Sequence, residues 1–377
     1  MIPRYYYNIQ NLIEPGRALI IYGSRRVGKT TLINDYLKKT KLNYLLDSGD
    51  NLETQNILGS RKFSQILKYI KGYELIVIDE AQKIPNIGEA LKIIVDQAPE
   101  IKVIATGSSS FELFAQVGEP LTGRKTTIIL YPIAISELMN LYNGNEYTLE
   151  KNLNDLLIFG SYPEVLTEDI REKKIKILLE LINSYLFKDI LTLDNIKGSR
   201  IIFDILQLLS FQIGGEVSLN ELATQLGVHV TTIARYLDLL EKSFVIYSLR
   251  GFSRNLRNEI TNKNKYYFYD LGIRNAIINQ FNDLDKRNDI GQLWENFLMT
   301  ERMKKREYNE MYGSYYFWRT YEKKEIDLIE DREGSLFAYE FKWNKKKRPM
   351  VPGDWIKNYP KSEYKVITPS NYLDFVV

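Results

Sequence analysis

The chain of 377 residues has no cysteine, which excludes disulfides, thiolate metal sites and a cysteine nucleophile together. It has one histidine, His229, and a single imidazole without partners builds no zinc site. No apolar run reaches the length of about 18 residues needed to cross a bilayer. The stretch "MIPRYYYNIQNLIEPGR" lacks the long apolar segment of a secretory leader, so export and membrane insertion are not expected and a cytoplasmic protein is. Repeats, low-complexity tracts and Pro/Gly/Ser-rich linkers are also missing, so the domains are expected to pack closely. The net charge of +3 is too small to argue for or against nucleic acid, and local clusters must carry that question.

What is present is a globular composition, 44% hydrophobic and 26% charged, in a chain too long for one ordinary core. Near its start, "ALIIYGSRRVGKTTLINDYLKKT" passes from a short β-rich run through a glycine-bounded loop into a helical pattern. Gly23, Ser24, Arg25, Arg26, Val27, Gly28, Lys29 and Thr30 complete the pattern G-x-x-x-x-G-K-[ST], and Thr31 follows it. Glycines let backbone N–H groups turn inward around phosphate oxygens, and the helix adds its positive end. Lys29 would reach the β- and γ-phosphates, and Thr30 would set its hydroxyl on magnesium.

"YELIVIDEAQKIP" supplies the second half of such a site. Leu75 to Ile78 read as a strand buried on both faces, whose carboxyl end is where ligands bind in a parallel sheet. Asp79 at that tip would hold the magnesium shell, and Glu80 would orient or deprotonate the attacking water. A further strand in "IKVIATGSSSFEL" ends in polar groups: Thr106 or Ser108 would sense the γ-phosphate, or Ser109 and Ser110 simply cap a helix. Arg124, after Gly123, either offsets charge on the transferring phosphoryl group or is a surface arginine beside a turn.

Residues 150–200 show apolar residues at helical spacing, broken at Gly160 and Pro163. "GGEVSLNELATQLGVHVTTIARYLDLLEKSFVIYSL" then reads as helix, tight turn at Gly227, helix and strand, the order of a winged helix-turn-helix. Thr231, Thr232 and Arg235 are the DNA-contact candidates on the second helix, although such domains also serve as protein contacts. His229 caps or flanks that helix. The following segment gathers Arg250, Arg254, Arg257, Lys263 and Lys265 with aromatics behind them, either to track a phosphate backbone or as a solvated hairpin.

Toward the carboxyl end, Glu-x-Lys triplets begin at Glu172, Glu322, Glu340 and Glu363, so context must choose among them. In "EIDLIEDREGSLFAYEFKW", Ile326 and Leu328, then Phe337, Tyr339 and Phe341, alternate around a turn at "DREG". Pairing Asp331 with Gly334 sets Asp327 opposite Ala338 and diagonal to Glu340, with Asp327, Glu340 and Lys342 on one face. Two carboxylates so placed would share a divalent metal such as magnesium beside a lysine, with Glu295 of an upstream helix as a further ligand. The competing reading is a solvated strand with a surface ion pair. Lys345, Lys346, Lys347 and Arg348 would flank that face as a basic exit or as solvated charge.

Taken together, "GSRRVGKTTL", "IVIDEAQKIP", "ATGSSSFEL", "LTGRKTTIILYPIAISEL", "ARYLDLLEKSFVI", "GQLWENFL" and "KEIDLIEDREGSLFAYEFK" resemble, in order, segments of a prokaryotic AAA-type P-loop ATPase group. That group carries a winged helix and a carboxyl-terminal PD-(D/E)xK restriction-endonuclease-like domain. The resemblance implies an α/β chain with the ATPase domain at 1–140, a helical extension at 141–200, a winged helix-turn-helix at 201–270 and the nuclease-like domain at 271–377. It implies ATP and magnesium at Lys29, Thr30, Asp79, Glu80 and Arg124, and the endonuclease signature at Glu295, Asp327, Glu340 and Lys342. Two departures stand out: His229 occupies a position where a small capping residue is commoner, and Ile326 rather than a proline-linked pair precedes Asp327. The expected activity is ATP hydrolysis coupled to DNA binding. The rivals are a nucleotide-gated switch on a protein partner and an active metal-dependent DNase. Oligomerisation would let an arginine of one subunit meet a neighbour's nucleotide.

Overall fold

Ala18–Tyr22 (β1) is an unbroken apolar run, and all five of its residues are buried because parallel neighbours flank it on both edges. The computed structural model to which it belongs describes residues 2–107, 117–183, 199–252, 263–320, 322, 324–344 and 350–377. Ser108, Ser109, Ser110, Arg254, Arg257, Lys345, Lys346, Lys347 and Arg348 lie outside the described residues. The chain divides into two units, Pro3–Pro132 with Lys242–Phe244, and Ile133–Glu241 with Val245–Val377.

In the first unit, β1 leads through the glycine loop into helix α1, Lys29–Leu37. Strands β2 (Tyr44–Ser48), β3 (Leu75–Asp79), β4 (Lys102–Gly107) and β5 (Lys125–Ile129) complete a parallel sheet of order β2-β3-β4-β1-β5. Helices α2 (Leu52–Leu58), α3 (Phe63–Ile70) and α4 (Ile87–Gln97) return the chain between strands. Strand β4 lies between β1 and β3, so the glycine loop and the acidic pair are presented by strands two positions apart, at the same carboxyl-terminal edge.

The second unit opens with α5 (Ile135–Leu141), α6 (Glu146–Phe159), α7 (Pro163–Leu166) and α8 (Arg171–Leu181). Gly160, with φ +73°, ends α6 as its composition suggests. After α9 (Ser199–Phe211) come α10 (Leu219–Leu226), a left-handed Gly227 and α11 (Val230–Lys242). Further helices are α12 (Leu271–Ile277), α13 (Ile290–Tyr308), α14 (Gly353–Asn358) and α15 (Tyr372–Val376).

Seven strands form its sheet: β6 (Glu216–Val217), β7 (Ile246–Gly251), β8 (Asn264–Phe268), β9 (Ser314–Arg319), β10 (Glu325–Arg332), β11 (Ser335–Phe341) and β12 (Glu363–Ile367). Their order is β12-β11-β10-β9-β7-β8-β6. The hairpin after the helix-turn-helix therefore continues the carboxyl-terminal sheet, joined by the parallel pair Arg250↔Tyr316 and Gly251↔Phe317. The expected division at 270/271 runs between two strands of this one sheet.

The β10–β11 hairpin corrects the expected register. Arg332 pairs with Ser335, and Glu333 (φ +53°) with Gly334 (φ +74°) makes the turn. A two-residue hairpin turn with left-handed backbone at both positions matches strand twist, and glycine suits the second of them. The turn thus falls one residue later than Arg332-Glu333. Leu328 pairs with Tyr339, which sets Asp327 across from Glu340 instead of Ala338. A bulge against β9 between Ile326 and Ile329 also breaks the expected alternation of Ile326 with Leu328. Ile326 and Ile329 join Trp318, Ala338 and Trp355 in one core cluster.

Candidate functional site

The loop after β1 is shaped by contacts that only its own residues allow. Gly23 has φ +147°, and a Cβ there would lie 2.1 Å from the Leu130 carbonyl oxygen, so no side chain fits. Gly28 has φ +100° as α1 begins. Ser24 and Val27 are buried, whereas Arg26, Thr30 and Thr31 face outward and Arg25 is half-buried.

Lys29 is only 5% exposed, and its ammonium donates to the Gly23 and Ser24 carbonyls at 2.8 and 3.0 Å. The Thr30 hydroxyl donates to Asp79 Oδ2 at 2.9 Å, which joins the start of α1 to the tip of β3. Thr106, at the end of β4, donates to Asp79 Oδ1 and accepts from the Glu80 N–H at 3.2 Å. Glu80 has left-handed backbone, φ +49°, and its carboxylate accepts from Gln82 Nε2 at 2.6 Å. The loop lysine, hydroxyl and acidic pair are thus brought together, and of the sensor candidates Thr106 is in contact with them.

Arg124 is not. It precedes β5, and Lys125 is level with Ala18 while Ile129 is level with Tyr22, so Arg124 sits at the amino-terminal edge of the sheet. A strand of this length spans about 16 Å, which removes Arg124 from its own glycine loop. Its Nε donates to Asp96 Oδ1 at 2.5 Å instead. Strand order puts β5 beside β1, but the loop lies at the far end, so strand direction separates Arg124 from its own glycine loop.

Arg4 is the residue that sequence reasoning missed. Its Nη1 donates to the Val27 carbonyl and its Nη2 to the Tyr131 carbonyl, both at 2.6 Å, pinning the loop to the chain beyond β5. Both acceptors are backbone, so no side-chain pattern could have announced the contact.

In the second unit, Glu295 on α13, Asp327 on β10, and Glu340 and Lys342 at the end of β11 stand in one electrostatic neighbourhood. Lys342 Nζ donates to Glu340 Oε1 at 2.5 Å, and Asp327 Oδ2 accepts the Phe341 N–H at 2.7 Å. Burial pushes the Asp327 carboxyl well above its ordinary range, aided by the charges of Glu295 and Glu340. Burial also raises Glu340, against the opposing bond from Lys342. By contrast, the triplets at Glu322 and Glu363 are exposed ion pairs, as the solvated-strand reading describes.

Lys265 departs from its expected place among exposed wing charges. It is 1% exposed, and its ammonium is 3.3 Å from Glu295 Oε1 and bonded to Glu325 Oε1. Tyr267 adds a 2.7 Å bond to the same Glu295 oxygen. Among the described residues, no three carboxylate or imidazole groups converge as a metal-holding set. Thr231 and Arg235 are exposed and Thr232 half-buried on α11, and the exposed His229 supplies the carbonyl that accepts from the Thr232 N–H at 2.9 Å.

Among the described residues, no helix is long and apolar enough to cross a membrane. Residues 15–139 match a family model described as an AAA domain. Residues 150–284 match Domain of unknown function (DUF8612), and residues 290–370 match Domain of unknown function (DUF4143). A protein of Methanocaldococcus jannaschii, described as uncharacterized, is 25% identical over 369 residues, covering 91% of this chain and 79% of its own. A Mycobacterium tuberculosis protein, likewise described, is 24% identical over 338 residues, covering 89% of this chain and 72% of its own. A Haemophilus influenzae protein is 25% identical over 330 residues, covering 82% and 78%. The parallel five-stranded sheet is consistent with the AAA match over residues 15–139, and that similarity points to a nucleotide-binding domain of the P-loop type.

Proposed function

We propose that the chain binds and hydrolyses ATP with magnesium at residues 23–31, Asp79 and Glu80, and couples that cycle to DNA held on the second unit. The observation that carries the reading is the 2.9 Å contact between Thr30 and Asp79, which brings the two groups expected to share magnesium into register. The chemistry that magnesium supplies when bound is neutralisation of the charge on the β- and γ-phosphates. The chain's own residues do the rest. Backbone N–H groups between Gly23 and Gly28 would surround phosphate oxygens, and Lys29 would exchange its two carbonyl partners for them. Glu80 would orient the attacking water and take its proton, held in place by Gln82. Thr106 ties the backbone of Glu80 to the Asp79 carboxylate, so the two acidic groups move together. Ser108 keeps its proposed sensing role.

On the second unit, DNA would meet the exposed Thr231 and Arg235 and the half-buried Thr232, with the sheet that carries Glu295, Asp327, Glu340 and Lys342 as a second contact surface. A second reading, a nucleotide-gated switch on a protein partner, is favoured by how little charge α11 offers: Arg235 is the single basic residue before its last, Lys242.

Phosphate release from the purified protein, with and without duplex DNA over a salt series, separates the two. DNA stimulation that fades steeply with salt supports the first reading, and turnover indifferent to DNA supports the second. Lys29→Ala should reduce turnover to background, and full activity in that variant would refute the nucleotide site itself.

A further inference from the structure

We infer that Lys265 is the resident cation of the carboxylate centre on the second unit, and that it keeps divalent metal out of that centre. Four carboxylates, Glu295, Glu325, Asp327 and Glu340, face each other's fields there. Each already has a donor from the chain. Lys265 lies 3.3 Å from Glu295 and donates to Glu325, Tyr267 donates to Glu295 at 2.7 Å, the Phe341 N–H serves Asp327, and Lys342 serves Glu340.

Lys265 cannot step aside into solvent. It is 1% exposed on β8, a strand paired on both edges by β7 and β6, and its ammonium lies 5.2 Å from the centre of the Phe317 ring. A hard divalent ion needs several oxygen ligands at once, and it would have to share Glu295 with a fixed positive charge. Of the fully buried carboxylate oxygens of the centre, Glu340 Oε2 has no hydrogen-bond partner, and a single oxygen is not a metal site. The centre therefore has the residues of a metal nuclease signature and an internal cation among them. The consequence for function is a second unit that grips without cutting while Lys265 stays in place.

The inference rests on this cluster alone, and its test contains no nucleotide, so it stands or falls apart from the ATPase reading. Full-length protein stripped of metal is titrated with Mn2+ up to millimolar concentration, and free Mn2+ is read by electron paramagnetic resonance. Wild type should bind no more than Asp327→Asn, which corrects for any ion held elsewhere. Lys265→Met should gain about one equivalent, and the gain should vanish in Lys265→Met with Asp327→Asn. An equivalent bound by wild type and lost in Asp327→Asn overturns the inference. So does a folded Lys265→Met, with the circular dichroism of wild type, that gains nothing. The wild-type comparison needs no Lys265 variant and decides the matter if that variant does not fold.

Discussion

Replacing Arg4 with alanine tests a contribution to the proposed nucleotide site that works through backbone carbonyls. The substitution deletes two bonds from a charged donor, to the Val27 and Tyr131 carbonyls at 2.6 Å each. Such a bond contributes about 1.5–3 kcal/mol. Arg4 is only half-buried and water would re-solvate both carbonyls, so we take about 2 kcal/mol for the pair. For a unit near 130 residues that corresponds to a fall in melting temperature of about 8 °C. Val27 belongs to the loop, so part of the loss should appear as disorder of the loop that nucleotide binding must reverse. If about 1.4 kcal/mol falls there, KM for ATP rises about tenfold, with kcat little changed because the two carbonyl bonds shape the loop and take no part in the chemistry. Arg4→Lys, which cannot serve both carbonyls in the same fork, should recover about half of the effect. Steady-state phosphate release and differential scanning fluorimetry measure both quantities. Unchanged KM and melting temperature in Arg4→Ala would refute the reasoning, and a collapse of kcat at constant KM would assign Arg4 to the chemistry.

Two further perturbations act on backbone approach and on a buried ion pair. Gly23→Ala sets a Cβ 2.1 Å from the Leu130 carbonyl at φ +147°, and displacing the loop by about 1 Å should weaken nucleotide binding about a hundredfold, read by calorimetry with a non-hydrolysable analogue; binding within twofold of wild type would contradict it. Burial pushes the Glu330 carboxyl up, but Arg302 at 2.7 and 2.8 Å and Arg332 at 3.1 Å hold it below its ordinary 4.5. A depressed folded value means the pair stabilises the fold above the unfolded value and that this contribution is lost as pH falls below about 4.5. Glu330→Gln should cost about 3–5 kcal/mol at neutral pH and show a shallower acid decline in melting temperature; parallel acid profiles would remove Glu330 from the account.

The geometry of the proposed nucleotide site was readable because a phosphate cradle is local. Gly23 to Thr31 is one contiguous stretch, and Asp79 and Glu80 end an apolar run that can only be an interior strand. Three features were not readable, each for a distance reason. Arg4 acts on carbonyls 23 and 127 residues away. Lys265 reads as one more wing cation until the pairing of β8 turns it inward to Glu325, 60 residues on. The joining of β7 to β9 depends on a parallel pair between residues 250 and 316, and nothing in either strand's composition announces it. Arg124 differs from these: it precedes a strand that neighbours β1, and only the direction of that strand puts it at the edge away from the loop.

The β10–β11 hairpin explains why a reading can miss a register and still assemble the right groups. Moving the turn from Arg332-Glu333 to Glu333-Gly334 shifts every cross-strand pair by two positions, from Asp327 opposite Ala338 to Asp327 opposite Glu340. A strand alternates faces with period two, so an even shift exchanges partners along a face without exchanging faces. A slip of one would have sent Glu340 to the other side of the sheet from Asp327. The even slip brings the two carboxylates closer than expected, from diagonal to directly opposite. That closeness is the physical source of the effect of Glu340 on Asp327, whose carboxyl is raised by burial first and then by the charges of Glu295 and Glu340. It also sharpens the need for a compensating positive charge, which Lys342 supplies to Glu340 from one residue past the end of β11 and Lys265 supplies to Asp327 through its field from β8.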